Sequence, residues 1–182
     1  MKSANKRDID KLVDGLKRQD KKSQEVLYKK YFGLMMSIGM HYCENWDDAK
    51  EVVNTAFLKV FTKIEYYTGV GSFEGWMKKT MVNTSLDYIK SKKFDKVDID
   101  DINYLNEELF VENEAASNIN SEDIMKMIQE LPNASKIVFN MYIIEGYKHK
   151  EISELLNISE GTSHWHLQNA RKLLMNKINN LL

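Results

Sequence analysis

Two helices separated by a three-residue turn are written into residues 147–172, YKHKEISELLNISEGTSHWHLQNARK. Ile152, Leu155 and Leu156 form an apolar stripe at helical spacing. Asn157 stands where the first helix must stop, and asparagine tolerates the left-handed backbone that a helix end requires. Ile158 plugs the turn. Ser159 is placed to cap a second helix whose inner face is Ser163, Leu167, Ala170 and Leu174. This is a helix-turn-helix pattern, and the second helix of such a unit normally lies in a DNA major groove.

The same periodicity runs upstream. Ile9, Leu12, Val13 and Leu16 mark a first amphipathic helix. Ser23 is placed to cap a second, with Val26, Leu27, Tyr31, Met35 and Ile38 inward. Asn45 caps a third, along which Val52, Val53, Ala56, Phe57, Val60, Phe61 and Ile64 recur at helical spacing. The glycines of YYTGVGS make a loop, and Ser72 caps a fourth helix through Trp76, Met77, Thr80 and Met81 to Ile89. Trp76 sits at core spacing and is expected to pack. Further on, Ile124, Met127, Ile128 and Leu131 form one helix ended by Pro132. Asn133 or Ser135 caps the next, with Ile137, Val138, Met141, Tyr142 and Ile144 on it and Gly146 as its stop.

A single proline and eight glycines in 182 residues suit an all-α protein. The net charge of −1 conceals a strong asymmetry. Lys78, Lys79, Lys90, Lys92, Lys93 and Lys96 face only Asp87 and Asp95 between residues 78 and 96. Residues 97–114 then carry seven acids and no base. The expected organisation is therefore two small helical domains, 6–96 and 122–182, joined by an acidic linker, 97–121. So weak an overall charge argues against strong DNA binding by the chain alone, because neutralised phosphates supply most non-specific affinity.

Four stretches in order resemble the extracytoplasmic-function sigma factors, minimal members of the sigma-70-type family of RNA polymerase specificity subunits. They are LVDGLKRQDKKSQEVLYKKYF, DDAKEVVNTAFLKVF, GSFEGWMKKTMVNTSLDYIKSKK and LPNASKIVFNMYIIEGYKHKEISELLNISEGT, and they span nearly the whole chain. The resemblance implies a first domain that binds core RNA polymerase and reads and melts the minus-10 element. It implies a second domain that reads the minus-35 element, and an anti-sigma factor that holds the two in check. Core RNA polymerase and promoter DNA are thus the expected partners of a cytoplasmic, monomeric protein.

The resemblance also assigns residues. Polymerase docking falls to Glu51, Asn54, Thr55 and Leu58. The family pattern has Asp, Gln and an acid at the first three, so Glu51 and Asn54 keep one carboxylate and one amide while Thr55 loses a charge. Minus-10 recognition falls to Tyr66, Tyr67 and Phe73 around the glycine loop, which capture an extruded base. Asn83 offers an amide to a base edge, and Lys78, Lys79, Lys90, Lys92 and Lys93 hold phosphates. Minus-35 recognition falls to the helix that starts at Glu160. Thr162, Arg171 and Lys172 contact backbone there, and His164, Trp165 and Gln168 contact base edges. His166 and Asn169, like His164, stand where the family often has Lys or Arg. These histidines titrate near neutral pH, so pH-sensitive DNA binding is expected.

Other classes fare worse. No apolar run reaches the roughly 20 residues of a membrane span, and MKSANKRDIDK lacks a signal peptide's apolar core. Cys43 is alone, so no internal disulfide forms, which fits a reducing cytoplasm. His41 and Cys43, like His164 and His166, are two residues apart and do not share a helix face, so no metal is expected. GVGSF lacks the lysine of a P-loop, and no catalytic constellation or cofactor motif is present. An autonomous helix-turn-helix regulator has a similar C-terminal pattern but no need of a lysine-rich helix after an aromatic–glycine loop. A purely structural scaffold leaves Gly161 and Thr162 at the start of a capped helix unexplained.

Overall fold

The computed structural model describes residues 2–92 and 121–180, with side chains from 7–92 and 123–180. The expected linker therefore lies outside the described residues except for Ser121, as does Lys93. The fold is all-α, with no strand among the described residues, and the chain divides into two compact units between Phe94 and Asp95.

The N-terminal unit contains α1 (Lys2–Lys17), α2 (Lys21–Tyr42), α3 (Trp46–Thr62), a 3-10 turn (Ile64–Tyr66) and α4 (Phe73–Ser91). Side-chain caps set its helix starts. Asn45 Oδ1 accepts from the Asp48 N–H at 2.9 Å, and Ser72 Oγ from the Gly75 N–H at 3.0 Å. The cap of α2 is Asp20, not Ser23. Gln19 turns the chain through a left-handed φ of 56°, which brings Asp20 to the cap position, and its carboxylate accepts from both the N–H and the hydroxyl of Ser23.

Helices α2, α3 and α4 pack on one another around Leu27, Met35, Val53, Phe57, Val60, Met77, Met81 and Val82. Each such side chain contributes about 1.5–3 kcal/mol on burial. Val26, expected inward, is exposed because it sits one residue off the stripe of Leu27, Tyr31, Met35 and Ile38. Helix α1 closes on α2 at Gly15, where an added Cβ would stand 2.1 Å from Ser23 Oγ.

The C-terminal unit contains α5 (Ser121–Gln129), α6 (Asn133–Phe139), a single π-helical turn (Asn140–Ile144), α7 (His149–Leu156) and α8 (Glu160–Asn179). Pro132 precedes α6, and Ser135 is not a cap but a buried residue inside the helix. The π turn adds a residue to the helical repeat, which carries Ile143 and Ile144 outward while Met141 stays buried. Gly146, with φ +77°, ends the segment. Asn157 is left-handed (φ 56°, ψ 48°), and the Ile158 N–H donates to the Ser153 carbonyl at 3.1 Å. Ser159 Oγ accepts from the Thr162 N–H at 2.9 Å and starts α8. Ser163, Leu167 and Ala170 are then buried against α6 and α7, and Leu174 is half-buried.

Replacement of Gly15 by alanine should destabilise the protein by about 1–3 kcal/mol, the usual cost of forcing extra volume into a packed contact. Urea unfolding of the two proteins checks it.

Candidate nucleic-acid and polymerase interface

Three outward surfaces hold the residues singled out by sequence. The first is on α3. Glu51, Asn54, Thr55 and Leu58 are spaced i, i+3, i+4 and i+7, and all four are exposed, opposite the buried Val53, Phe57 and Val60. Leu58, at 61% exposure, is a large apolar side chain set in a polar stripe. Asn54 is not fully available, since its Oδ1 accepts from the Tyr28 hydroxyl at 3.0 Å. Tyr28 is itself held against Phe57, ring centroids 4.6 Å apart.

The second surface surrounds the glycine loop. Tyr66 is 76% exposed. Tyr67, Phe73 and Trp76 form an aromatic trio, with centroids 5.2 Å apart between Tyr67 and Phe73 and 5.8 Å for the other two pairs. The Tyr67 hydroxyl donates to the Gly71 carbonyl at 3.2 Å, pinning the loop. Phe73 is only 2% exposed and is the floor of this trio, not an open platform. Trp76 is half-buried, stacked on Phe73.

The lysines of α4 differ among themselves. Lys79 and Lys90 are exposed. Lys78 pairs with Glu74 at 3.0 Å. Lys92 reaches from the end of α4 to Asp48 at the start of α3, 2.8 Å away, and lies over the Tyr88 ring. The Lys92 hydrogen bond holds the Asp48 carboxyl below the usual carboxylate range and raises the Lys92 ammonium above its own. Asn83 is half-buried, and its Oδ1 is a buried oxygen without a hydrogen-bond partner.

The third surface is α8. Gly161, His164, Gln168, Arg171 and Lys172 are exposed, and Thr162, Trp165 and Asn169 half-buried. His166 points the other way. It is buried, with Nδ1 3.2 Å from Ser135 Oγ, and Asn169 Nδ2 donates to the same Ser135 oxygen at 3.1 Å. Of the two histidines behind the expected pH sensitivity, only His164 thus faces outward. Sequence could have placed His166 inside, since it lies three residues after Ser163 and four before Ala170. His164 stacks on His149 of α7 with centroids 3.6 Å apart, and His149 stacks in turn on Tyr142 at 4.4 Å. His149 Nδ1 and Ser163 Oγ are 2.8 Å apart. The parts played by Ser135, His149 and Tyr142 carry no sequence signal, because each pairs with a residue on another helix.

Cys43 is buried, and burial pushes its thiol up to about 11, so it stays protonated and unreactive. Among the described residues no three His, Cys, Asp or Glu side chains converge as a metal site would need, and no helix is long and apolar enough to cross a membrane.

Comparison with known proteins points one way. The family described as Sigma-70 region 2 matches residues 27–94, and the family described as Sigma-70, region 4 matches residues 121–174. The chain is 25% identical to the ECF RNA polymerase sigma-E factor of Haemophilus influenzae, covering 94% of this chain and 95% of that one. It is 23% identical to the factor of the same name in Escherichia coli K12, covering 94% of each. Among solved structures, its fold is similar to CnrH in complex with the cytosolic domain of CnrY (TM-score 0.53, 14% identity, 93% of this chain and 96% of that one). It is also similar to the sigma factor RpoE in complex with the anti-sigma factor NepR from Bartonella quintana (TM-score 0.57, 12% identity, 85% and 96%).

Burial lowers the pKa of both His149 and His166 below the ordinary histidine value of 6.5, with the neighbouring His164 adding to the effect on His149. As pH falls through 6.5 the unfolded chain takes up protons that the folded C-terminal unit refuses, so folding loses stability on the acid side until the depressed values are passed. The C-terminal unit should therefore melt at a lower temperature at pH 5.5 than at pH 8, as checked by thermal unfolding followed through Trp165 fluorescence in a chain whose other two tryptophans are replaced by phenylalanine.

Proposed function

The chain belongs to the sigma-70-type family as an extracytoplasmic-function sigma factor acting in promoter-specific transcription initiation, and from that premise we propose how its parts divide the work. Residues 6–96 bind core RNA polymerase and read and melt the minus-10 element. Residues 97–121 are the linker, and residues 122–182 read the minus-35 element. The protein is a non-catalytic, monomeric specificity subunit working in the cytoplasm.

Docking on core polymerase uses the α3 stripe of Glu51, Asn54, Thr55 and Leu58. The exposure of Leu58 within that polar stripe is the observation that supports this reading, because a large apolar side chain there is stabilised when a partner covers it. Promoter opening needs a surface that captures bases once they leave the stack, since unstacking costs about a few kcal/mol per step. Tyr66, and Tyr67 beside the loop, present aromatic faces to such a base. Asn83, half-buried, meets a base edge only once its buried, unpartnered Oδ1 is uncovered, and Lys79, Lys90 and Lys93 supply phosphate contacts. Phe73 supports this surface from below, and Lys78 and Lys92 reach phosphate only by exchanging their carboxylate partners.

On α8, Thr162, Arg171 and Lys172 contact phosphate while His164, Trp165 and Gln168 meet base edges. His166 is left out because it is buried, and Asn169 because its amide donates to Ser135 inside the unit. Two tethered modules on one polymerase raise each other's effective concentration, which supports selective binding by a protein of net charge −1. Of the solved structures of similar fold, one is a complex with the cytosolic domain of CnrY and the other a complex with the anti-sigma factor NepR. An anti-sigma factor is accordingly a proposed partner here too.

Leu58→Glu should weaken binding to bacterial core RNA polymerase by about tenfold or more, because it places an unpaired charge in a dehydrated contact. Helical content should not change. Equal affinity of variant and wild type, titrated side by side, would overturn the docking assignment. Gln168→Ala should relax base preference in the minus-35 element, whereas Arg171→Ala should lower affinity equally across sequences.

A further inference from the structure

A buried serine on α6 holds two points of α8. Ser135 is 1% exposed, and its Oγ lies 3.2 Å from His166 Nδ1 and 3.1 Å from Asn169 Nδ2. The Asn169 amide donates to Ser135 Oγ, and the same oxygen shares a second hydrogen bond with His166 Nδ1, whose direction follows the tautomer of the ring. Burial of His166 favours the neutral ring.

His166 and Asn169 are three residues apart, so one hydroxyl grips α8 at neighbouring points almost a turn apart. Among the buried residues of α8, Leu167 is the one large apolar side chain, since Ser163 and Ala170 are small. A helix with its side chains is about 10–12 Å across, so a rotation of roughly 20° moves a side-chain tip by about 2 Å. That displacement is enough to break a hydrogen bond to a base edge.

We infer that Ser135 is a positioning residue for minus-35 recognition: by tying His166 and Asn169 to α6, it sets the rotation of α8 and so decides which of its side chains meet bases. The inference rests on the proposal that α8 reads DNA. His149, bonded to Ser163 at 2.8 Å, anchors the N-terminal end of the same helix to α7. Ser135 anchors its middle, between that tie and the ion pair near the other end that Lys177 makes with Glu130, just after α5, so without Ser135 the middle of α8 loses its polar anchor. Base preference then depends on a residue that is itself out of reach of DNA.

The test uses the full chain assembled with bacterial core RNA polymerase. Transcription is read by sequencing from one promoter pool with a randomised minus-35 element and from a second with a randomised minus-10 element. Ser135→Ala should flatten the minus-35 preference by about tenfold at the positions the wild type reads most strongly, and leave the minus-10 preference unchanged. His166→Leu removes the other end of the bond without touching Ser135, and it should flatten the same positions, which keeps the test open if Ser135→Ala fails to fold. A wild-type minus-35 profile in the variants would overturn the inference. So would a fall in output that is equal at every minus-35 sequence, which marks a merely structural role. A flat profile from the wild-type chain would instead overturn the reading of α8 itself, and the inference with it.

Discussion

The left-handed backbone at Asn157 is the constraint on which the C-terminal unit depends. It stops α7 after Leu156, and two residues later Ser159 starts α8 through its bond to the Thr162 N–H. A longer or looser connection would let the two helices choose their own angle. Here the angle is fixed, so Ile152 of α7 and Leu167 and Ala170 of α8 share one core. What remains outside is a polar strip from His164 to Lys172. The left-handed residue costs about 1–2 kcal/mol for an ordinary side chain, and asparagine reduces that cost. The Ser159 cap, worth about 1 kcal/mol, offsets what is left.

The N-terminal unit resolves a different tension, that of a basic helix in a protein of nearly neutral charge. Part of the lysine charge of α4 is used inside the unit. Lys92 bridges to Asp48 and ties the end of α4 to the start of α3, and Lys78 bridges to Glu74. The aromatic trio of Tyr67, Phe73 and Trp76 braces the loop between α3 and α4, leaving Tyr66 outside it. Neither unit offers the dense positive charge of a protein that holds DNA by itself. A division of affinity between polymerase and two promoter elements fits that economy.

Local signals were legible in the sequence and long-range ones were not. The caps at Asn45, Ser72 and Ser159 and the stop at Asn157 each act within a few residues, so composition and spacing reveal them. Ser23 has the chemistry of a cap but is not one, because the position of the true cap, Asp20, depends on the conformation of Gln19 before it. The π turn at Asn140–Ile144 shifts the helical register midway, which a constant period cannot anticipate. In the candidate site, Phe73 and His166 lie on the inner stripes of their helices, Phe73 four residues before Met77, so periodicity places inside two residues that the family resemblance assigns to DNA. The grip of Ser135 on His166 spans 31 residues of sequence and is visible only in three dimensions.

The central claim is that this chain directs core RNA polymerase to promoters, and reconstitution tests it most directly. The chain is mixed with bacterial core RNA polymerase, the complex is isolated, and transcription from a pool of genomic fragments is mapped to its start sites. The account predicts a stable complex and new start sites that share two spaced sequence elements. Failure to bind core enzyme, together with sequence-specific binding of the protein alone to paired half-sites, would contradict it.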